Sequence, residues 1–215
     1  MSNVLLDLRQ IQKYYQPGKY ILNRHSFLLR EGESAALMGT SGKGKTTLLN
    51  LIGLLDKRFE GEYYLSGKNI KLYDLKQLAV LRNKVFGFIF QNFLFVNHLC
   101  VRDNIALPLL YQGVALNLAR SKAERLLESF GMVELSARYP RSLSGGQQQR
   151  VTIMRAMIHE PKCLLLDEPT SQLDETSQQQ ILSLLMSYQN QKGCSLVMVT
   201  HHKQVAALCQ HQWII

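Results

Sequence analysis

The residues best suited to chemistry form one run: Gly39, Thr40, Ser41, Gly42, Lys43, Gly44, Lys45, Thr46 and Thr47. Glycines at this spacing let a backbone bend tightly and bring its N–H groups close to an anion. Lys45 adds a cation on a long stem, and Thr46 adds a hard oxygen ligand. The pattern G-x-x-x-x-G-K-[ST] therefore reads as a cradle for a nucleoside triphosphate, with Lys45 reaching the β- and γ-phosphates and Thr46 ligating Mg²⁺. A second constellation is Asp167-Glu168, which closes the apolar run Cys163–Leu166. Its first carboxylate suits a metal ion and its second suits a general base acting on water. Gln91 and His201 end two further apolar runs. From there Gln91 would contact the metal or the attacking water, and His201 the γ-phosphate.

These groups work together only if the apolar runs are parallel strands whose carboxyl ends share one cleft. The chain supports that arrangement. Val4–Tyr15, Ile21–Leu29 and Gly61–Leu65 read as strands, as do Ala35–Met38, Val85–Phe90, Cys163–Leu166 and Ser195–Thr200. Helical patterns cover Thr47–Leu55, Leu118–Phe130, Ser144–His159 and Glu175–Gln189. Val101–Tyr111 also reads as helical, with Pro108 expected to end or kink it. Strands alternating with helices predict an α/β fold with a largely parallel core sheet. A mostly helical block over about residues 92–138 predicts an inserted subdomain.

Composition narrows the class. A chain of 215 residues with 46% hydrophobic and 19% charged residues suits one globular domain. The net charge of +9 is compatible with a nucleotide, an anionic lipid surface or nucleic acid, and does not choose among them. Cys100, Cys163, Cys194 and Cys209 have no metal-binding spacing and read as reduced thiols. No apolar run approaches the ~18 residues of a membrane span, so work at a membrane would require another chain to cross it.

Leu143-Ser144-Gly145-Gly146-Gln147-Gln148-Gln149-Arg150 resembles the signature sequence of ATP-binding-cassette (ABC) ATPases. The order of the other motifs is similar to that family across essentially the whole chain: phosphate loop, Q-loop Gln91, signature, Asp167-Glu168, D-loop Ser171–Asp174 and switch His201. The resemblance implies a P-loop NTPase core at 1–91 and 139–215, an N-terminal antiparallel β lobe and a helical subdomain at about 92–138. It implies a head-to-tail dimer in which Ser144, Gly145, Gly146 and Gln147 of one copy meet the ATP bound by the other. Glu168 would be the base, with His201 and Gln91 sensing the γ-phosphate. Thr46, Gln91 and Asp167 would hold Mg²⁺, and Asp174 would communicate across the dimer. An aromatic residue would stack on adenine, Tyr15 by spacing, with Tyr14 the alternative.

Leu49–Asp56, Gly61–Leu65, Phe88–Phe93 and Asp103–Leu109 are similar to the macrolide-export and lipoprotein-release cassettes. That narrower resemblance implies a multi-span membrane permease as partner, no nucleic-acid partner, and residence on the cytoplasmic face of a bacterial inner membrane. Phe93, Leu94 and Phe95 would face the permease, or else lie in the subdomain core. Alternatives within the superfamily are a cassette regulating a membrane cell-wall or cell-division complex, and a nucleic-acid-repair ATPase. Three residues depart from the family pattern: Lys43 in place of serine, Gln172 in place of a small residue, and His202 in place of aspartate.

Overall fold

The structure, a computed structural model, describes residues 3–16, 19–40 and 42–215. Ser41 of the predicted phosphate loop lies outside the described residues. Two sheets organise the fold. The first is antiparallel, in the order β2-β1-β4-β5, from β1 (Val4–Gln16), β2 (Lys19–Arg30), β4 (Glu60–Leu65) and β5 (Lys68–Asn69). The second is parallel, in the order β6-β7-β8-β3-β9, from β3 (Ser34–Met38), β6 (Phe86–Ile89), β7 (Cys163–Asp167), β8 (Ser195–Val199) and β9 (His211–Ile214).

The parallel strands are apolar on both faces because both faces are covered. Ala35, Leu37, Cys163, Leu165, Val197 and Val199 join one cluster with the antiparallel sheet and α1 (Lys45–Ile52). Ala36, Leu164, Leu166, Leu196 and Met198 point the other way. They pack with α5 (Gly145–Met157) and α6 (Glu175–Lys192). A third cluster is built by α3 (Val101–Tyr111), α4 (Leu116–Ser129) and the inner face of α5.

Three elements differ from expectation. Leu75–Val85 forms a helix, α2, although its apolar content is low and only Leu78 and Val85 are buried. A capping box starts it, with Asp74 accepting from Gln77 N–H and the Gln77 side chain accepting from Asp74 N–H. Helix α3 continues through Pro108 to Tyr111. Proline removes only one helical bond there, a turn from the helix end, and Asn83 Nδ2 donates to the Pro108 carbonyl at 3.1 Å. Finally, β9 adds a fifth parallel strand on the outer side of β3, where Trp213 packs on Phe27 with ring centroids 4.4 Å apart.

Parallel pairing fixes the direction of every strand in the second sheet. The carboxyl ends of β3, β6, β7 and β8 therefore lie along one edge. The residues just beyond them are Gly39, Phe90-Gln91, Glu168 and Thr200-His201. This edge brings together four motifs that are up to 162 positions apart in sequence, His201 less Gly39.

Candidate functional site: a phosphate cleft at the carboxyl edge of the parallel sheet

A cleft of about 350 Å³ opens at this edge, lined by Gly42, Gly44, Lys45, Thr46, Thr47, Gln91, Asp167 and Glu168, with Ile21 and Val199 as its apolar wall. The loop is shaped by Gly42 at φ 79° and Gly44 at φ 92°, both in the left-handed region. A Cβ on Gly44 would also sit 2.9 Å from Ile21 and Leu22, so that glycine is needed for close packing against β2. Helix α1 begins at Lys45, which aims its unpaired N–H groups and positive dipole end into the cleft. Lys45 is buried, and its Nζ donates to the carbonyls of Gly39 and Thr40, both at 2.9 Å. These acceptors are neutral carbonyls, so the ammonium is not tied up in a direct ion pair there and suits an incoming anion.

Asp167 is buried at the end of β7 and accepts a hydrogen bond from Thr46 Oγ1 at 3.0 Å. Burial raises its carboxyl above the ordinary value. The Thr46 bond and the Lys45 charge oppose that shift, and Glu168 adds to it. Such a carboxylate is short of positive charge. The oxygen-only set of Thr46, Asp167 and Gln91 matches the preference of Mg²⁺.

Glu168 follows on a strained main chain, at φ 47° for a non-glycine residue. Its N–H donates to the Val199 carbonyl at 3.1 Å, and its own carbonyl accepts from Ser171 N–H and Oγ. Its Oε1 lies 3.0 Å from His201 Nδ1. An ionised carboxylate can only accept, so this pairing places the hydrogen on Nδ1.

The predicted signature residues lie elsewhere on the protomer. Ser144 caps α5: its Oγ accepts from Gln147 N–H at 3.3 Å, and its N–H donates to Gln147 Oε1 at 3.0 Å. Ser144, Gly146 and Gln147 line a separate hollow with Arg150, Leu173 and Ser177. A Cβ on Gly145 or Gly146 would meet nothing within 4 Å, so nothing inside the protomer demands glycine at either position. Asp174 caps α6, accepting from Ser177 N–H at 2.9 Å and Ser177 Oγ at 2.7 Å.

Two predicted contacts stand apart from the cleft. The Lys43 side chain is exposed and outside the cleft lining, so only its main chain takes part in the loop. Tyr15 lines a neighbouring depression with Asn50, Asp56 and Arg58, its ring 5.0 Å from Lys13 Nζ. Tyr14 meets Tyr20 edge-on instead, at 5.8 Å.

Other contacts had no sequence signal. Arg155 of α5 donates to the carbonyls of Phe93 (2.6 Å) and Leu94 (2.9 Å) and lies over the Phe95 ring. Fully buried Asn104 grips the next stretch, through Val96 N–H and the carbonyls of Val96, Leu99 and Cys100. Between these grips Leu94 is 60% exposed, while Phe93 and Phe95 are partly buried and stack on each other. Both grips hold main-chain atoms, which any residue in the segment provides.

A sequence model of the family described as ABC transporter matches residues 22–171. The chain is 39% identical over 205 residues to the uncharacterized ABC transporter ATP-binding protein YknY of Bacillus subtilis, covering 94% of this chain and 89% of that one. It is 38% identical over 206 residues to the macrolide export ATP-binding/permease protein MacB of Escherichia coli K12, and spans 32% of that longer protein. Its fold superposes on the ATP-binding cassette MJ0796, solved as a dimer in a post-hydrolysis state with ADP and Pi. The TM-score is 0.89, at 33% identity, covering 98% of this chain and 94% of the other. The ordered phosphate cleft and this similarity along nearly the full chain lead to one assignment: the chain belongs to the ABC transporter family and is an ATP-binding, ATP-hydrolysing cassette.

Proposed function

We propose that two copies of the chain sandwich two ATP molecules head to tail and hydrolyse them to drive a membrane permease, in transport of the export or lipoprotein-release type. The observation that carries the dimer is the separation of half-sites. The cleft at Gly42–Thr47 and the open helix start at Gly145-Gly146 are lined by different residues and share none. A helix start with two unencumbered glycines offers main-chain N–H groups to which a phosphate from another copy can come close. The dimeric form of the similar cassette MJ0796 supports an assembly of two copies.

In this reading the residue roles follow from the site. Main-chain N–H groups of Gly39–Thr47 and the Lys45 ammonium hold the β- and γ-phosphates. Ser144, Gly146 and Gln147 of the partner copy close on the γ-phosphate. Thr46, Asp167 and Gln91 hold Mg²⁺, which when bound neutralises phosphate charge. Glu168 takes the proton of the attacking water as its oxygen bonds to the γ-phosphorus and the bond to ADP breaks. His201 fixes one oxygen of that carboxylate and leaves the other for water. Tyr15 stacks on adenine from the depression beside α1. Asp174 holds the start of α6, and with it the D-loop, in register for the partner copy.

Residues about 92–138 form the helical subdomain in this scheme, and Leu94 is its exposed contact for the permease. Among the described residues no helix is long and apolar enough to cross a membrane. The ATP-binding/permease character of the MacB relatives supports a permease as the spanning partner and a peripheral place at the membrane for this chain.

Glu168→Gln tests the scheme. The variant is expected to lose turnover by about 10²–10⁴-fold, the range for a general base, while retaining ATP and accumulating as a dimer. Wild-type turnover in Glu168→Gln refutes the base. A monomer under saturating ATP refutes the sandwich. Co-purification of a multi-span membrane protein checks the permease, and retention on nucleic acid alone would contradict it.

A further inference from the structure

The residue after His201 opens a short helix, α7 (Lys203–Ala206), so His202 occupies its N-cap. Side chains at that position usually accept a hydrogen bond from the first turn, as aspartate does. His202 makes no such bond. Its main chain is held all the same. The N–H donates to Thr200 Oγ1 at 3.1 Å, and the carbonyl accepts from Ala206 N–H at 3.0 Å. Thr200 is itself buried and tied to the Leu37 carbonyl of β3 at 3.2 Å. The His202 ring thus projects from a fixed backbone. It lies against the His201 ring, with centroids 3.9 Å apart and planes inclined by 40°.

His201 needs that contact. Its side chain is 52% exposed, and a single hydrogen bond, Nδ1 to Glu168 Oε1, holds it. One hydrogen bond pins one atom of an imidazole and leaves the ring free to swing about it. A second ring against its face removes that freedom.

We infer that His202 is a positioning residue for hydrolysis: its ring packs on His201, keeps Nδ1 on Glu168 Oε1, and thereby holds the other carboxylate oxygen towards the attacking water. The inference rests on Glu168 being the base. It concerns orientation alone, since His202 is not among the residues lining the phosphate cleft. Misplacement of a catalytic group by about 1 Å costs on the order of 10²-fold in rate, and loosening it costs less.

The test compares His202→Ala, His202→Asp and His202→Phe in steady-state ATPase assays of the intact chain, with His201→Ala, the double variant and Glu168→Gln in parallel. Expected for Ala and Asp is a fall in kcat of about tenfold, within the ~10²-fold bound for misplacement, with KM for ATP moved less than about twofold. His202→Phe keeps a ring face and should recover most of the rate. Asp restores the usual helix cap, so its thermal midpoint should equal or exceed wild type, and its loss of rate is then not unfolding. If His202 acts through His201, adding His202→Ala to His201→Ala costs nothing further.

Wild-type kcat in Ala and Asp overturns the inference, as does a Phe variant as slow as Ala, or additive losses in the double variant. Wild-type turnover in Glu168→Gln removes the base and this inference together. A dead Glu168→Gln beside a fully active His202→Ala removes only the inference.

Discussion

Gly146→Ala separates what the protomer needs from what the assembled site needs, because the two effects have opposite signs. Gly146 is the second residue of α5, has no positive φ, and offers open space to an added Cβ. Alanine at such a position restricts the unfolded chain more than glycine does, which stabilises by about 0.4–1 kcal/mol. For a domain of this size that is a rise in melting midpoint of about 1–4 °C. In the sandwich the same methyl stands between the start of α5 and the γ-phosphate bound by the other copy. A setback of about 1 Å there costs on the order of 10²-fold in turnover. The assays are thermal unfolding by circular dichroism, steady-state ATPase rate, and ATP-driven dimer formation by size-exclusion chromatography in a Glu168→Gln background. A lower midpoint would show that the protomer itself requires glycine. A stable variant with wild-type turnover and dimerisation would mean that nothing approaches Gly146, and the head-to-tail site would fall.

Two further outcomes follow from charged groups. Burial raises the Asp167 carboxyl, so its effect on stability is fully favourable below the unfolded value of 3.8 and is lost as pH rises through the folded value. Asp167→Asn, which can still accept from Thr46, should therefore melt higher than wild type at pH 7 without metal, the gain shrinking below about pH 4. It should also lose Mg²⁺-dependent turnover by ~10²-fold or more, since charge stabilisation by a metal contributes several kcal/mol; a lower midpoint at pH 7 contradicts the burial argument. Lys13 is 2% exposed and pairs with Asp56 Oδ2 at 2.7 Å while donating to the Arg58 carbonyl at 2.5 Å. Lys13→Met leaves Asp56 with Arg58 as its remaining partner and should destabilise by about 1–3 kcal/mol, less than the ~3–5 of a fully buried pair because Asp56 is partly exposed and keeps its Arg58 bonds. Burial alone would raise the Asp56 carboxyl, but hydrogen bonds from Lys13 and Arg58 outweigh it and the net shift is downward. The stability from this pair is thus present above pH 3.8 and lost as pH falls through the folded value, so melts of the two proteins should converge in acid.

The phosphate loop, the Asp167-Glu168 strand end and the start of α5 were legible because each is a local device. A glycine pattern, an apolar run closed by acids, and a helical pattern opening at Ser144 need no distant partner to be read. The parallel strands were legible for a related reason, since a sheet covered on both faces leaves a continuous apolar run. Helix α2 was not, because a helix that buries two of eleven residues has almost no apolar period, and only its Asp74–Gln77 box marked it. Pro108 misled because the cost of proline depends on the distance to the helix end, which packing against α4 and α5 decides.

By itself, then, the sequence determined which chemistry the chain can perform: residue types carry donors, acceptors and titratable groups wherever they stand. Tertiary structure alone decided which of those groups meet. It set Thr46 on Asp167 and His201 on Glu168, left Lys43 and Tyr15 outside the cleft, and laid the His202 ring on His201. Contacts such as Arg155 on the Phe93 and Leu94 carbonyls were invisible beforehand because their acceptors are main-chain atoms, present at every position and distinguished only by where the fold brings them.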